Sequence, residues 1–271
     1  MNYSILERIL IALGGKMDVP KVLGAFHIIW IVFILGLCVL AVYFRRYFTE
    51  KTVPYVLLGV GILMILYEVY RQLIFSYLPE SDRWVYLWYN FPFQFCASPD
   101  YVTVAAFILS RCKKRSVVYD ALLSFLATYC LIAGVVVFIF PSTIFCDIIG
   151  INIQTMLHHG LMIVMAVMLL ASGEVKFTRR SFLMAFLVFM PLLTVAMIMN
   201  LIYGNGFEFD MFYIAPDSTM ILDDMQAALG GFPPYPVYLI GYIILFSTGA
   251  ALVLFISRKI SDCAKNRKKK K

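Results

Sequence analysis

Charge is scarce in this chain. Of its 271 residues only 14% are charged, whereas 62% are hydrophobic and 16% aromatic; a soluble domain carries roughly 25% charged residues. Such a chain cannot cover its own apolar surface with polar groups, which excludes an ordinary water-soluble globule. No stretch alternates apolar and polar residues at strand length, so a membrane β-barrel is excluded as well. No polar segment is long enough to fold as a separate soluble domain. The cysteines, Cys38, Cys96, Cys112, Cys130, Cys146 and Cys263, form no CxxC and no zinc-like spacing. Neither a metal nor a cofactor is expected. Cys38 and Cys130 read as packing residues inside spans, and the spacing leaves a disulfide between Cys96 and Cys146 open.

What the chain does have is long apolar runs. A hydrocarbon core about 30 Å thick is crossed by roughly 20 apolar residues in a helix. Seven stretches qualify, near 24–44, 53–77, 90–110, 117–140, 151–172, 181–202 and 237–257. The fold class is therefore all-α: a polytopic membrane protein, a bundle of about seven transmembrane helices. One integral membrane domain fills 1–271. It comprises an N-terminal interfacial segment (1–22), the bundle (23–257) and a basic tail (258–271).

The net charge of +7 lies almost wholly in that tail, "RKISDCAKNRKKKK". It has no interleaved aromatics and no fold of its own, so nucleic acid is not a partner; the partner expected is the phospholipid membrane. Arg45, Arg46 and Lys51, then Arg111, Lys113, Lys114 and Arg115, then Lys176, Arg179 and Arg180 fall in alternate loops on the side of the tail. The remaining loops are mostly acidic, with Glu80, Asp82, Asp147, Glu208, Asp210, Asp217, Asp223 and Asp224. The positive-inside rule places the N-terminus outside and the C-terminus in the cytoplasm. Arg8, Lys16 and Lys21 dissent on the outer side. "MNYSILERILIALGG" reads as an interfacial amphipathic helix rather than a signal peptide. The membrane is the plasma membrane in a bacterium and the endoplasmic reticulum in a eukaryote.

Polar groups at membrane depth are costly and mark cavities or function. In "NFPFQFCASPD" the third span carries Pro92 at its first turn, Cys96 roughly 9 Å down at helical rise, Pro99 as a kink, and Asp100 on the Cys96 face. If the fifth span begins near Gly150, His158 and His159 lie roughly 13 Å deep, close to the level of Cys96. Adjacent histidines point about 100° apart, so one of the two faces any shared cavity. His27, Glu68, Arg71, Gln154 and Asn200 fall in the same outer half. Each has an ordinary structural reading: Glu68–Arg71 as a buried ion pair, a span histidine as a hydrogen-bonding core residue, Cys96 as a small hydrophobe. Their clustering at one level is what motivates a site.

The order of motifs resembles the YwaF-like integral membrane proteins, a bacterial group with eukaryotic relatives that include transmembrane protein 164. The resemblance runs along nearly the whole chain. It rests on His27, on "FPFQFC" ending in Cys96, on His159–Gly160, on "NLIYGNG" from Asn200, on "FDMFYIAP", and on "GGFPPYPVYLI" opening the last helix. It implies acyltransferase chemistry on phospholipids with a cysteine nucleophile, for which Cys96 is the candidate, and a histidine base, for which His159 carries over. The family pattern often has a histidine at the position of Gln94. Its eukaryotic cysteine follows the proline directly, where this chain has Phe93.

Acyl transfer through a thioester needs a thiolate, a base and donors for the developing oxyanion. Cys96 and His159 would fill the first two roles. Asn200 and Gln94 could serve as donors, and Asp100 or Glu68 could orient a histidine. The alternative is a non-enzymatic carrier or a lipid- or small-solute-binding protein that uses the same cluster of His27, Glu68, Arg71, Asp100 and His159, with His158 beside it. The outer loop 203–236 is expected to fold back over the cavity as a lid, or else to lie at the interface as an aromatic belt.

Overall fold

The computed structural model describes residues 3–78, 83–204, 209–216 and 219–269. Glu80, Asp82, Glu208, Asp217 and the Asn205–Gly206 turn lie outside the described residues. The chain forms α1 (Ile5–Leu13), α2 (Ala25–Tyr43), α3 (Val53–Ser76), α4 (Ser98–Ser110), α5 (Val117–Ala127), α6 (Tyr129–Ile139), α7 (Ile149–Ser172), α8 (Arg179–Tyr203), α9 (Met220–Ala228) and α10 (Tyr235–Lys269). Among the described residues, strand is limited to a two-rung antiparallel pair, Tyr77–Leu78 against Arg83–Trp84.

Six helices are long and apolar enough to cross a membrane, counting α5 and α6 as one broken span from Val117 to Ile139. The protein is an integral, multi-pass, all-α membrane protein. The third expected span differs from expectation. Helix α4 has only 13 residues, roughly 20 Å at helical rise, which is too short to cross the core alone. Residues 88–97 enter instead as irregular backbone with two 3-10 turns. Pro92 lies in that irregular stretch. Pro99 does not kink a helix; it sits in the first turn of α4, where its missing N–H costs nothing and its fixed φ favours initiation. Non-helical backbone at membrane depth is tolerated only where protein encloses it. Accordingly Phe95 and Ala97 through Asp100 are buried.

Two sets of loops gather at opposite ends. At one end Arg115 Nη1 reaches Glu50 at 2.9 Å and Glu174 at 2.8 Å, and its Nε reaches Asp120 at 2.6 Å. It thereby ties the α2–α3, α4–α5 and α7–α8 connections together. Burial of the guanidinium opposes its charge, but the hydrogen bonds it donates to Asp120 and Glu174 outweigh this and raise its pKa. At the other end Lys16 pairs with Asp147 at 2.7 Å, and the Met17 N–H donates to the Asp147 carbonyl. There α1, closed by a Ser4–Glu7 capping box, packs Leu10 against Ile74, Tyr77 and Ile151. Ile5, Leu6, Ile9 and Leu13 remain exposed, the arrangement of an interfacial helix.

Helix α7 is central, packed against α2, α3, α5 and α6. It begins at Ile149, so the histidines lie nine and ten residues in. Gly134 lets α6 come close: a Cβ there would stand 2.8 Å from the His159 carbonyl oxygen. Helices α2 and α10 turn Ile29, Val32, Leu35, Val39, Leu245 and Phe255 outward, the faces that lipid covers.

Candidate functional site

The site is built where two helices stop short. Helix α4 starts at Ser98, and the α5–α6 span breaks at Thr128, whose backbone leaves the helical region (φ −121°, ψ −74°). Helix α7 runs alongside with His158. Its Nε2 lies 2.9 Å from the Cys96 carbonyl oxygen and 3.7 Å from Asp100 Oδ1. An Nε2–H donated to that carbonyl leaves Nδ1 with the lone pair. His158 Nδ1 and Asp100 Oδ1 are both buried without a hydrogen-bond partner among the described residues. Buried polar atoms are rarely left so. Asp100 is 1% exposed and sits in the first turn of α4. Cys96, by contrast, keeps accessible surface among buried neighbours.

The structure separates the two adjacent histidines. His158 faces Cys96 and Asp100. His159 turns Nδ1 to the Thr155 carbonyl at 2.8 Å, and its ring centre lies 5.4 Å from that of His158. Among the described residues no hydrogen bond joins the Cys96 thiol to either ring. Gln154, one turn above, is buried and accepts a long hydrogen bond from Thr155 Oγ1 at 3.4 Å.

The other residues of the outer cluster have structural partners. Arg71 grips Glu68 through two hydrogen bonds, of 3.0 and 2.7 Å, and reaches Asn90 Oδ1 at 2.8 Å and the Asn90 carbonyl at 3.0 Å. Gln72 Nε2 adds bonds to Glu68 at 2.6 Å and to the Asn90 carbonyl. This network pins the irregular entrance of the third passage to α3. His27 is a clasp: Nδ1 accepts from the Leu23 N–H at 3.1 Å and Nε2 donates to the Phe138 carbonyl at 3.0 Å, so both ring nitrogens are used away from the thiol.

Gln94 and Asn200 are not free donors. Gln94 Nε2 donates to the Asp210 carbonyl at 2.7 Å and its Oε1 accepts from the Phe212 N–H at 2.9 Å. Asn200 brackets Met211 in the same way, at 3.0 and 2.7 Å. Two amide side chains thus hold residues 210–212 down. Phe209, Met211, Phe212, Ile214 and Ala215 are buried, with the Phe212 ring 5.2 Å from that of Phe95 and 5.8 Å from that of Phe93. This part of the outer loop folds back onto the bundle. Cys96 and Cys146 are both free thiols; Cys146 belongs to the small cluster under α1. Among the described residues no group of three or more metal-ligating side chains occurs.

The model of the TMEM164 family matches residues 22–255. The chain belongs to that family. The match spans the helices from α2 through most of α10, and so includes Cys96, both histidines of α7 and the strap at 209–215. Comparison with curated proteins and with solved structures gives no match. Several partners were hidden from sequence reasoning. Asn90 and Gln72 complete the Glu68–Arg71 network, and Asn90 opens the very stretch that carries Cys96. Tyr235 and Tyr238 donate to the carbonyls of Ile214 and Tyr213 at 2.7 and 2.6 Å, a use that the "PPYPVY" spacing alone does not reveal.

Proposed function

We propose that this TMEM164-family protein is a membrane-embedded acyltransferase acting on phospholipid acyl chains, with Cys96 as nucleophile. The observation that carries the reading is that His158, bonded through Nε2 to the backbone carbonyl of the part-exposed Cys96, leaves its Nδ1 buried and unpartnered among the described residues, as is the nearby Asp100 Oδ1. A thiol, a base with a free lone pair and a carboxylate to orient it are the parts that nucleophilic acyl transfer requires. Histidine 158 is the base this arrangement favours, with His159 as its neighbour in the pair. Positive-inside topology puts the Arg115 end in the cytoplasm, hence Cys96 in the outer half of the bilayer, near the level of lipid ester carbonyls.

In the reaction the Cys96 sulfur attacks an ester carbonyl carbon, its proton passing to the imidazole. Collapse of the tetrahedral adduct forms the thioester and breaks the ester C–O bond, and the imidazolium returns the proton to the departing lysolipid alkoxide. A second lipid hydroxyl then attacks the thioester, regenerating the thiol. No outside oxidant or reductant is needed.

A second reading, a carrier or lipid- or solute-binding protein without covalent chemistry, is favoured by the lack of a hydrogen bond from the thiol to either histidine among the described residues. Purified protein in vesicles of phosphatidylcholine labelled in its sn-2 acyl chain, with lysophosphatidylcholine as acceptor, separates the two. Transfer of label by the wild type and its loss in Cys96→Ala support the enzyme. Equal transfer by both rejects Cys96, and lipid binding without transfer supports the carrier.

A further inference from the structure

Helix α2 ends at Tyr43 after 19 residues, roughly 28 Å at helical rise and close to the thickness of a hydrocarbon core. The residues that follow therefore stand at the headgroup boundary, at the Arg115 end of the bundle. There the chain makes a tight 3-10 turn, Arg45–Tyr47, that is fixed from several sides. The Phe44 N–H donates to the Leu40 carbonyl and the Phe48 N–H to the Arg45 carbonyl. Thr52 Oγ1 donates to the Tyr47 carbonyl at 2.6 Å, and Phe48 packs against the main core.

Beside this turn lies a hollow of about 370 Å³ lined by Tyr43, Phe44, Arg45 and Arg46, within the roughly 300–1,000 Å³ range of small-ligand sites. Both guanidiniums are held in place. Arg45 Nη1 donates to the Val42 carbonyl at 3.1 Å, which also covers part of the negative end of α2. Arg46 Nη2 donates to the Tyr47 hydroxyl at 2.9 Å, with its guanidinium carbon 4.9 Å from the centre of that ring. A guanidinium has five N–H donors, so each arginine keeps several to offer, and both side chains are exposed.

The protein supplies no anion to meet them. Arg115 holds Glu50, Asp120 and Glu174, and Asp262 lies 3.9 Å from Arg258. Those are all the acids of this end of the sequence, and among the described residues none forms an ion pair with Arg45 or Arg46. Val39 and Leu40, four and three residues before Tyr43 and so on its face of the helix, are exposed. A charged hollow thus opens beside an apolar helix face.

We propose that this hollow binds an anionic phospholipid of the cytoplasmic leaflet, its phosphate held by Arg45 and Arg46 and its acyl chains laid along Val39 and Leu40. Guanidinium forks match phosphate oxygens two at a time, and that leaflet is the one rich in anionic lipid. The apolar face beside the charge favours a lipid over a free phosphate.

The test uses the full chain in a non-ionic detergent, titrated with phosphatidic acid and read by native mass spectrometry. Phosphatidylcholine and inorganic phosphate are the comparison probes. Phosphatidic acid should bind in preference to both. Arg45→Gln and Arg46→Gln should each weaken it about tenfold or more, the scale for a hydrogen bond to a charged group. Arg46→Gln leaves the Arg45 bond at the end of α2 in place, so it decides the matter even where Arg45→Gln does not fold. Lys113→Gln/Lys114→Gln and Lys268→Gln/Lys269→Gln should leave the affinity unchanged. Undiminished binding in Arg46→Gln, or equal binding of phosphatidylcholine, overturns the site. A loss in the lysine variants as large as in the arginine variants shows diffuse attraction to a basic surface and overturns it too. Inorganic phosphate that binds as tightly as phosphatidic acid overturns the lipid as the occupant.

Discussion

His158 Nε2 stands 2.9 Å from the backbone carbonyl of Cys96, while its neighbour His159 turns Nδ1 to Thr155 at 2.8 Å. One residue of rotation on α7 thus separates a histidine that faces the thiol segment from one that serves its own helix.

Substitutions at the pair should therefore differ. His158→Ala removes both the bond to the Cys96 carbonyl and the free Nδ1, and should lower acyl transfer by a factor of about 10² or more, the usual scale for a positioned base. His159→Ala should lower it less. Rates of label transfer in the vesicle assay check the order; a reversed order would assign the base to His159.

The Glu68–Arg71–Asn90 network should govern stability. Removing one partner of a buried pair leaves an uncompensated charge, typically about 3–5 kcal/mol. Arg71→Ala should lower Tm sharply in detergent. The double variant Glu68→Gln/Arg71→Met should recover part of the loss. A double variant as unstable as the single one would contradict this account of the pair.

The two amide clamps should hold the strap. Gln94→Ala and Asn200→Ala each leave backbone groups of residues 210–212 without partners, at about 1–3 kcal/mol per buried group. Hydrogen exchange at Met211 and Phe212 should accelerate in the matching variant: Phe212 for Gln94→Ala, Met211 for Asn200→Ala. Unchanged exchange at both amides would show that packing of Phe212 alone secures the strap.

The Lys16–Asp147 pair carries a pH signature. The hydrogen bond from Lys16 holds the Asp147 carboxyl below its ordinary value, so whatever the pair contributes is present above the ordinary carboxylate pKa near 3.8. It is lost as pH falls through the lowered folded value. Both side chains are more than half exposed, so the effect is small and screened by salt. Exchange of the Met17 amide, which is bonded to the Asp147 carbonyl, should rise below pH 4 in wild type. In Asp147→Asn it should show no such step.

Much of the architecture was legible because burial in lipid demands long apolar runs. Those runs located five of the six long spans to within a few residues, and Asp147 with Gly150 marked where α7 starts. The last helix instead continues to Lys269, through the basic tail expected to have no fold of its own. The short third passage was not legible. "NFPFQFCASPD" is as apolar as a helix, and composition does not show that its backbone bends through two 3-10 turns before Pro99 starts α4. Cys96 does lie at the level of His158, although the helical rise used to set its depth does not apply to the irregular stretch 88–97. Which histidine turns inward was not legible, since it depends on how α7 leans on Gly134 of α6. Gln94 and Asn200 looked like donors because an amide can serve either a substrate or a backbone; only the folded strap decides between them.

The claim on which the account turns is that Cys96 carries an acyl group. Protein incubated with para-nitrophenyl decanoate, quenched in acid and digested should yield the Cys96-containing peptide heavier by one decanoyl group, removable by neutral hydroxylamine and absent in Cys96→Ala. An unmodified peptide at Cys96 during turnover that releases para-nitrophenolate would contradict the account.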